Sequence, residues 1–182
     1  MTTTYPSPLP SKRTVSREEV CVSEATVREA LEMTRKCEIR RKTPLSGLVL
    51  VQRILQDPCY PPNSVTPTYA VTWLMTNLVT SEFARMRRRY GRTLLPSDSM
   101  YEEVIREIQC DRQSDNPSLI GWSWLYHHYV TPDFNMHQEM FASHIGVDTR
   151  TLRRYVKQEL IRLTQMIIAK EYEARQETQE YE

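Results

Sequence analysis

Between Thr149 and Lys157 the chain reads TRTLRRYVK, with three arginines, one lysine and no acid. Guanidinium forks match the O6/N7 edge of guanine, and hydroxyls and ammonium groups reach phosphate oxygens. This is the chemistry of nucleic-acid contact. Thr149, Arg150, Thr151, Arg153 and Arg154 are the candidates for base edges in a major groove, and Lys157 and Arg162 for phosphates. A second cationic run, ARMRRRYGR, holds Arg85, Arg87, Arg88, Arg89 and Arg92 with no acid between them. It offers a second phosphate-binding surface of salt-dependent affinity, or cations that complement a helix C-terminal dipole. A third run, RKCEIRRK over 35–42, sets five cations against one acid.

Other chemistries find less support. His127 and His128 are adjacent and point to different faces of one helix; His137 and His144 share a face but lack a third ligand at helical spacing. No metal is expected. Glu102, Glu103, Glu107 and Asp111 alternate with Arg106 and Arg112, which predicts exposed charges paired locally rather than acid/base chemistry. No nucleophile–base arrangement has a local signature, so neither an enzyme nor a cofactor is expected. The four glycines, Gly47, Gly91, Gly121 and Gly146, are too far apart for a phosphate-cradling loop. Cys21, Cys37, Cys59 and Cys110 contain no CxxC pair and read as free thiols. Trp73, Trp122, Trp124 and the tyrosines sit at helical spacing, which favours core over base-stacking platforms.

At 182 residues and a net charge of +1, the chain has room for one domain or two small ones and is no overall polycation. It has no apolar run of membrane-spanning length, and its start, MTTTYPSPLPSKRT, has no apolar signal core. A cytoplasmic setting is expected.

The elements that must position these side chains read as all-α. A capping pair at Ser16/Glu19, or Ser23, opens a first helix with Val27, Ala30, Leu31 and Thr34 on one face. Thr43-Pro44, Thr66-Pro67 and Asn116-Pro117 are cap-then-proline starts, Ser97 or Ser99 opens a further helix, and Asp57-Pro58 and Thr131-Pro132 are stops. The helix from Pro67 is expected to turn Tyr69, Ala70, Trp73, Leu74 and Leu78 inward and to end near Gly91. Residues 138–157 meet the demands of a helix-turn-helix. Ala142 permits a close crossing, and Gly146 permits a turn at positive φ. Phe141, Ile145 and Val147 fill the wedge, Leu152 and Tyr155 face inward, and Asp148 caps the second helix. The expected organisation is an arm (1–15), an N-terminal helical bundle (16–112), a C-terminal helix-turn-helix domain (116–172) and a charged tail (173–182).

WSWLYHHYV followed by MHQEMFASHIGVDTRTLRRYVKQELIRLTQMI resembles the helix-turn-helix superfamily of bacterial regulators, with the layout of sigma-factor region 4 over about residues 119–168. That resemblance implies double-stranded DNA as partner and a role in transcription regulation. Reading a half-site requires a homodimer, for which the bundle would supply the surface. A weaker resemblance runs through VREALEMTRKCEIRRKTPLSGLVLVQRIL and TYAVTWLMTNLV to the same C-terminal pair. It is similar to N-terminal modules of STAND-type signalling ATPases of Chloroflexi. This second likeness implies a protein-interaction or adaptor module working with an NTPase partner or fused domain; the chain itself contains no P-loop.

Overall fold

A computed structural model describes residues 21–37, 43–57, 65–96, 98–131 and 136–180. The expected arm, the Ser16/Glu19 start, and Pro58 and Pro132 of the two stops lie outside these residues. Among those described there are seven α-helices and no strand: α1 (Glu24–Lys36), α2 (Val49–Leu55), α3 (Pro67–Arg88), α4 (Tyr101–Gln113), α5 (Pro117–Leu125), α6 (Gln138–His144) and α7 (Thr149–Glu180).

Local chemistry sets most of the starts. Ser23 accepts from the Thr26 N–H, and the Thr26 hydroxyl accepts from the Ser23 N–H in return, closing a capping box on α1. Thr66 caps α3 through the Tyr69 N–H, with Pro67 at the first helical position. Asn116 Oδ1 accepts from the N–H groups of Ser118 and Leu119 at the head of α5. Thr43 caps as expected, but Pro44–Gly47 forms a short 3-10 turn and the helix restarts at Val49. That restart leaves α2 without a side-chain cap of its own. The vacancy is filled from the far end of the chain: buried Glu171 accepts the Val49 and Leu50 N–H groups at 3.0 and 3.1 Å. A carboxylate there also meets the positive end of the helix dipole.

One buried cluster runs from Val27 and Leu31 of α1 through Phe83 of α3 and Trp122 of α5 to Leu163 and Ile167 of α7. The expected bundle (16–112) and helix-turn-helix domain (116–172) therefore share a core, because α7 packs on α1 and α2 as well as on α5. The first part of the expected tail is helical. Residues 173–180 continue α7, Ala174 is buried, and Arg53 donates to the Ala174 carbonyl at 2.7 Å and pairs with Glu177 at 2.5 Å. Residues 181–182 lie outside the described region. On α3, Ala70, Leu74 and Leu78 are inward, but Tyr69 and Trp73 are 45% and 41% exposed. The buried stripe of α3 instead turns through Val71, Met75, Val79 and Phe83.

Helices α5 and α7 cross closely at Gly121. A Cβ on Gly121 would stand 2.6 Å from Glu159 Cγ and 3.1 Å from the Tyr155 carbonyl oxygen, so only hydrogen fits. The aromatic helix α5 then widens into a π-helical turn, Tyr126–Val130, closed by the Thr131 N–H on the Tyr126 carbonyl at 3.0 Å. This widening buries His127 edge-on to Phe83, with ring centroids 5.8 Å apart. Burial first, and then the nearby Arg87 charge, push its pKa down from 6.5 to about 3.

Two outcomes are expected. Gly121→Ala overpacks the α5–α7 contact and destabilises the fold by about 1–3 kcal/mol, read from the urea midpoint. His127 binds a proton in the unfolded chain but not in the fold. Its contribution is therefore complete above pH 6.5 and is lost as the pH falls towards 3. At pH 5 the loss is about 2 kcal/mol relative to pH 7. His127→Phe should remove that part of the pH dependence in urea unfolding at the two pH values.

Candidate nucleic-acid interface

The corner expected to be a helix-turn-helix is built from α6, the turn at Ile145–Asp148 and the start of α7. Gly146 takes φ +64°, the left-handed conformation that glycine adopts without a Cβ penalty. Its N–H reaches the Ser143 carbonyl at 3.2 Å, and the Val147 N–H reaches the Ala142 carbonyl at 3.1 Å, so the end of α6 is satisfied. Phe141, Ala142 and Ile145 are buried, and Val147 is half-buried. Phe141 meets the ring of Trp124 edge-on at 5.3 Å, while the Tyr101 hydroxyl lies 3.1 Å from His144 Nε2 and ties α4 to α6. His128 stacks on Trp124 at 4.3 Å and donates from Nδ1 to the Met136 carbonyl at 2.9 Å, which holds the segment entering α6.

Asp148 opens α7. Its carboxylate accepts from the Thr151 N–H at 2.7 Å and from the Thr151 hydroxyl at 2.8 Å. These hydrogen bonds hold its pKa below the usual carboxylate value. Leu152 and Val156 are the fully inward residues; Tyr155 is only half-buried, one position off the stripe expected for it.

The predicted contact residues divide. Arg150, Arg153, Arg154 and Lys157 are all exposed, and at 100° per residue they span an arc of roughly 100° opposite Leu152 and Val156. Among the described residues Arg150 and Lys157 have no side-chain partner, Arg153 donates to the neutral Gln138 at 3.0 Å, and Arg154 lies over the Tyr155 ring at 5.5 Å. No carboxylate neutralises any of the four among these residues. Thr149 and Thr151 are half-buried at the edge of the face, and the Thr151 hydroxyl proton is committed to Asp148. Arg162 does not join them. It lies roughly 18 Å along the helix from Arg150 and donates from Nη1 to Glu159 at 2.9 and 3.0 Å and to Ser118 at 2.6 Å. Glu159 is buried, and desolvation raises its pKa against the pull of Arg162 and the hydrogen bonds from Ser118 and Trp122.

The five-arginine surface expected over 85–92 is not a single face. Arg87 is 1% exposed and forms ion pairs with Glu107 and with Asp111, the latter at 3.5 Å. Arg92 reaches the same Asp111 at 3.4 Å, and Arg85 is paired with Glu82 at 2.5 Å. Only Arg88 and Arg89 of the run are exposed without a partner among the described residues. Asp111 is likewise no exposed helix charge. It is fully buried, accepts from the Ser123 hydroxyl at 3.1 Å, and has its pKa raised by desolvation against the pull of Arg87. A charge alternation repeating every three or four residues cannot show which carboxylate another helix will cover, so this network has no local signature. In the 35–42 run, Arg35 pairs with Glu32 at 3.3 Å, and residues 38–42 lie outside those described.

No family model matches the chain, and neither the curated proteins nor the solved structures contain a match to it.

Arg87→Ala should cost about 3–5 kcal/mol, because it breaks a buried ion pair and leaves Asp111 with Arg92 alone. Arg88→Ala, one residue along, should stay within about 0.5 kcal/mol of wild type. Chemical denaturation of the pair checks both.

Proposed function

We propose that this chain binds double-stranded DNA through the first turns of α7, in the manner of a helix-turn-helix regulator. The observation that carries this reading is the uncompensated cationic arc of Arg150, Arg153, Arg154 and Lys157 on a helix whose opposite side is locked into the core. Like charges at three- and four-residue spacing repel one another. A partner that supplies regularly spaced anions offsets that cost, and duplex DNA presents one phosphate charge per ~1.7 Å of axis. Gly146, at positive φ, lets α6 and this helix be joined by a short turn, as the reading of a recognition helix requires. Arg150 and Arg154 are the residues for base edges, and Lys157 with Arg153 for phosphates. A two-fold pair of such chains would read the two halves of a site.

The second reading is a protein-interaction module attached to a signalling NTPase. It is favoured by exposed apolar side chains, namely Tyr69 and Trp73 on α3 and Ile168 and Tyr172 on α7.

A titration of mixed-sequence duplex DNA, followed by fluorescence anisotropy at two salt concentrations, separates the two. Wild type should bind more tightly at low salt. The triple variant Arg150→Ala, Arg154→Ala, Lys157→Ala should bind more weakly and should lose about 0.9 from the slope of log K against log salt, for the one phosphate contact that Lys157 makes. Its thermal midpoint should stay near wild type, since all three side chains are exposed. Absence of wild-type affinity at low salt defeats the DNA reading and leaves the interaction module.

A further inference from the structure

A groove of about 520 Å³ opens where the C-terminal half of α3, the head of α5 and the middle of α7 meet. Arg85, Arg89 and Arg162 line it together with Ser118, over a floor that includes Trp122 and Met86. Its size falls within the roughly 300–1,000 Å³ of small-molecule sites. Charged side chains from α3 and α7 with buried apolar ones, Trp122 and Met86, in the same lining suit a ligand with an anionic head and an organic body.

The donors decide the head group. The first N–H groups of α5 are already taken by Asn116 Oδ1, so the helix end itself offers little. The guanidinium groups do have capacity to spare. Arg162 uses Nη1 for Glu159 and Ser118, which leaves its Nε and Nη2 free. Arg85 uses Nε and Nη2 for Glu82, which leaves Nη1. Arg89 has no side-chain partner among the described residues. Three cations face two carboxylates, one of which, Glu159, is buried beneath the surface. The groove therefore keeps a net positive charge. A carboxylate is satisfied by one guanidinium fork, whereas a phosphate monoester presents three acceptor oxygens and can engage several forks at once.

We propose that this groove is a binding site for a phosphate monoester, its phosphate held by Arg85, Arg89 and Arg162 and its organic body set against Trp122 and Met86. The proposal is independent of the DNA reading, since it uses neither Arg150, Arg153, Arg154 nor Lys157. It also gives two of the arginines from the 85–92 run a role that the run alone did not show.

Calorimetric titration of the full chain at low ionic strength, with phenyl phosphate and with inorganic phosphate, tests it. Phenyl phosphate should bind saturably, one per chain, and more tightly than inorganic phosphate. Arg89→Ala should weaken it about tenfold or more, as expected for loss of a charge-assisted hydrogen bond. That variant removes an exposed side chain and should keep the fold; Arg162→Gln provides a second test from the opposite wall. Arg150→Ala should leave the affinity unchanged. Lack of competition by duplex DNA upholds a free phosphate monoester as the ligand; competition would mean that the arginines take a backbone phosphodiester, and overturns it. Absence of saturable binding, an unchanged affinity in both Arg89→Ala and Arg162→Gln, or an equal loss in Arg150→Ala overturns it.

Discussion

The contact between Gly121 and Glu159 sets the position of everything that α7 carries. Two helices can approach this closely only where one of them has no side chain, and the approach places a carboxylate inside the protein. That carboxylate is tolerated because Arg162, Ser118 and the Trp122 indole reach it from the two helices that meet there. Once the crossing is set, a rod of 32 residues, roughly 48 Å long, has its rotation fixed about its own axis. Leu152, Val156, Leu163 and Ile167 must face inward, so Arg150, Arg154 and Lys157 must face solvent.

The same rod joins the corner at α6 to α2. Its first turn is held by Asp148 and the α6 corner, and its last turns supply Glu171 as the missing cap of α2 and an anchor for Arg53. A separate small domain on a linker could rotate freely against its support. Here the cationic face is carried on a strut that is cross-braced at both ends, so little orientational entropy remains to be lost when a partner docks.

Charge is used in two opposite ways between Arg85 and Arg89. Arg85, Arg88 and Arg89 remain at the surface, whereas Arg87 turns inward to meet Glu107 and Asp111 from α4. Burying an ion pair recovers only part of the desolvation cost. The hydrogen bond from Ser123 and the second cation, Arg92, make up more of it. The π-helical turn that follows α5 belongs to the same region. Its His127 stays neutral because burial and the Arg87 charge both oppose a proton there.

Local patterns determined much of this protein on their own. Cap residues followed by proline placed the starts of α3 and α5, and Gly146 between Ile145 and Val147 placed the corner before α7, because backbone geometry at such points depends on a few neighbouring residues. The outward direction of Arg150 and Arg154 was also legible, since one stripe of a helix must be buried and Leu152 marks it. Only the tertiary structure decided which charges are free. Arg87 and Arg88 are adjacent and chemically the same, yet one is buried against Asp111 and the other is exposed. Likewise Tyr69 and Trp73 keep the period of a buried stripe and still face outward. The groove lined by Arg85, Arg89 and Arg162 arises where three helices come together. Periodicity reports which face of a helix is apolar, but the partner that covers a face, or leaves it open, is set by long-range packing that no local window contains.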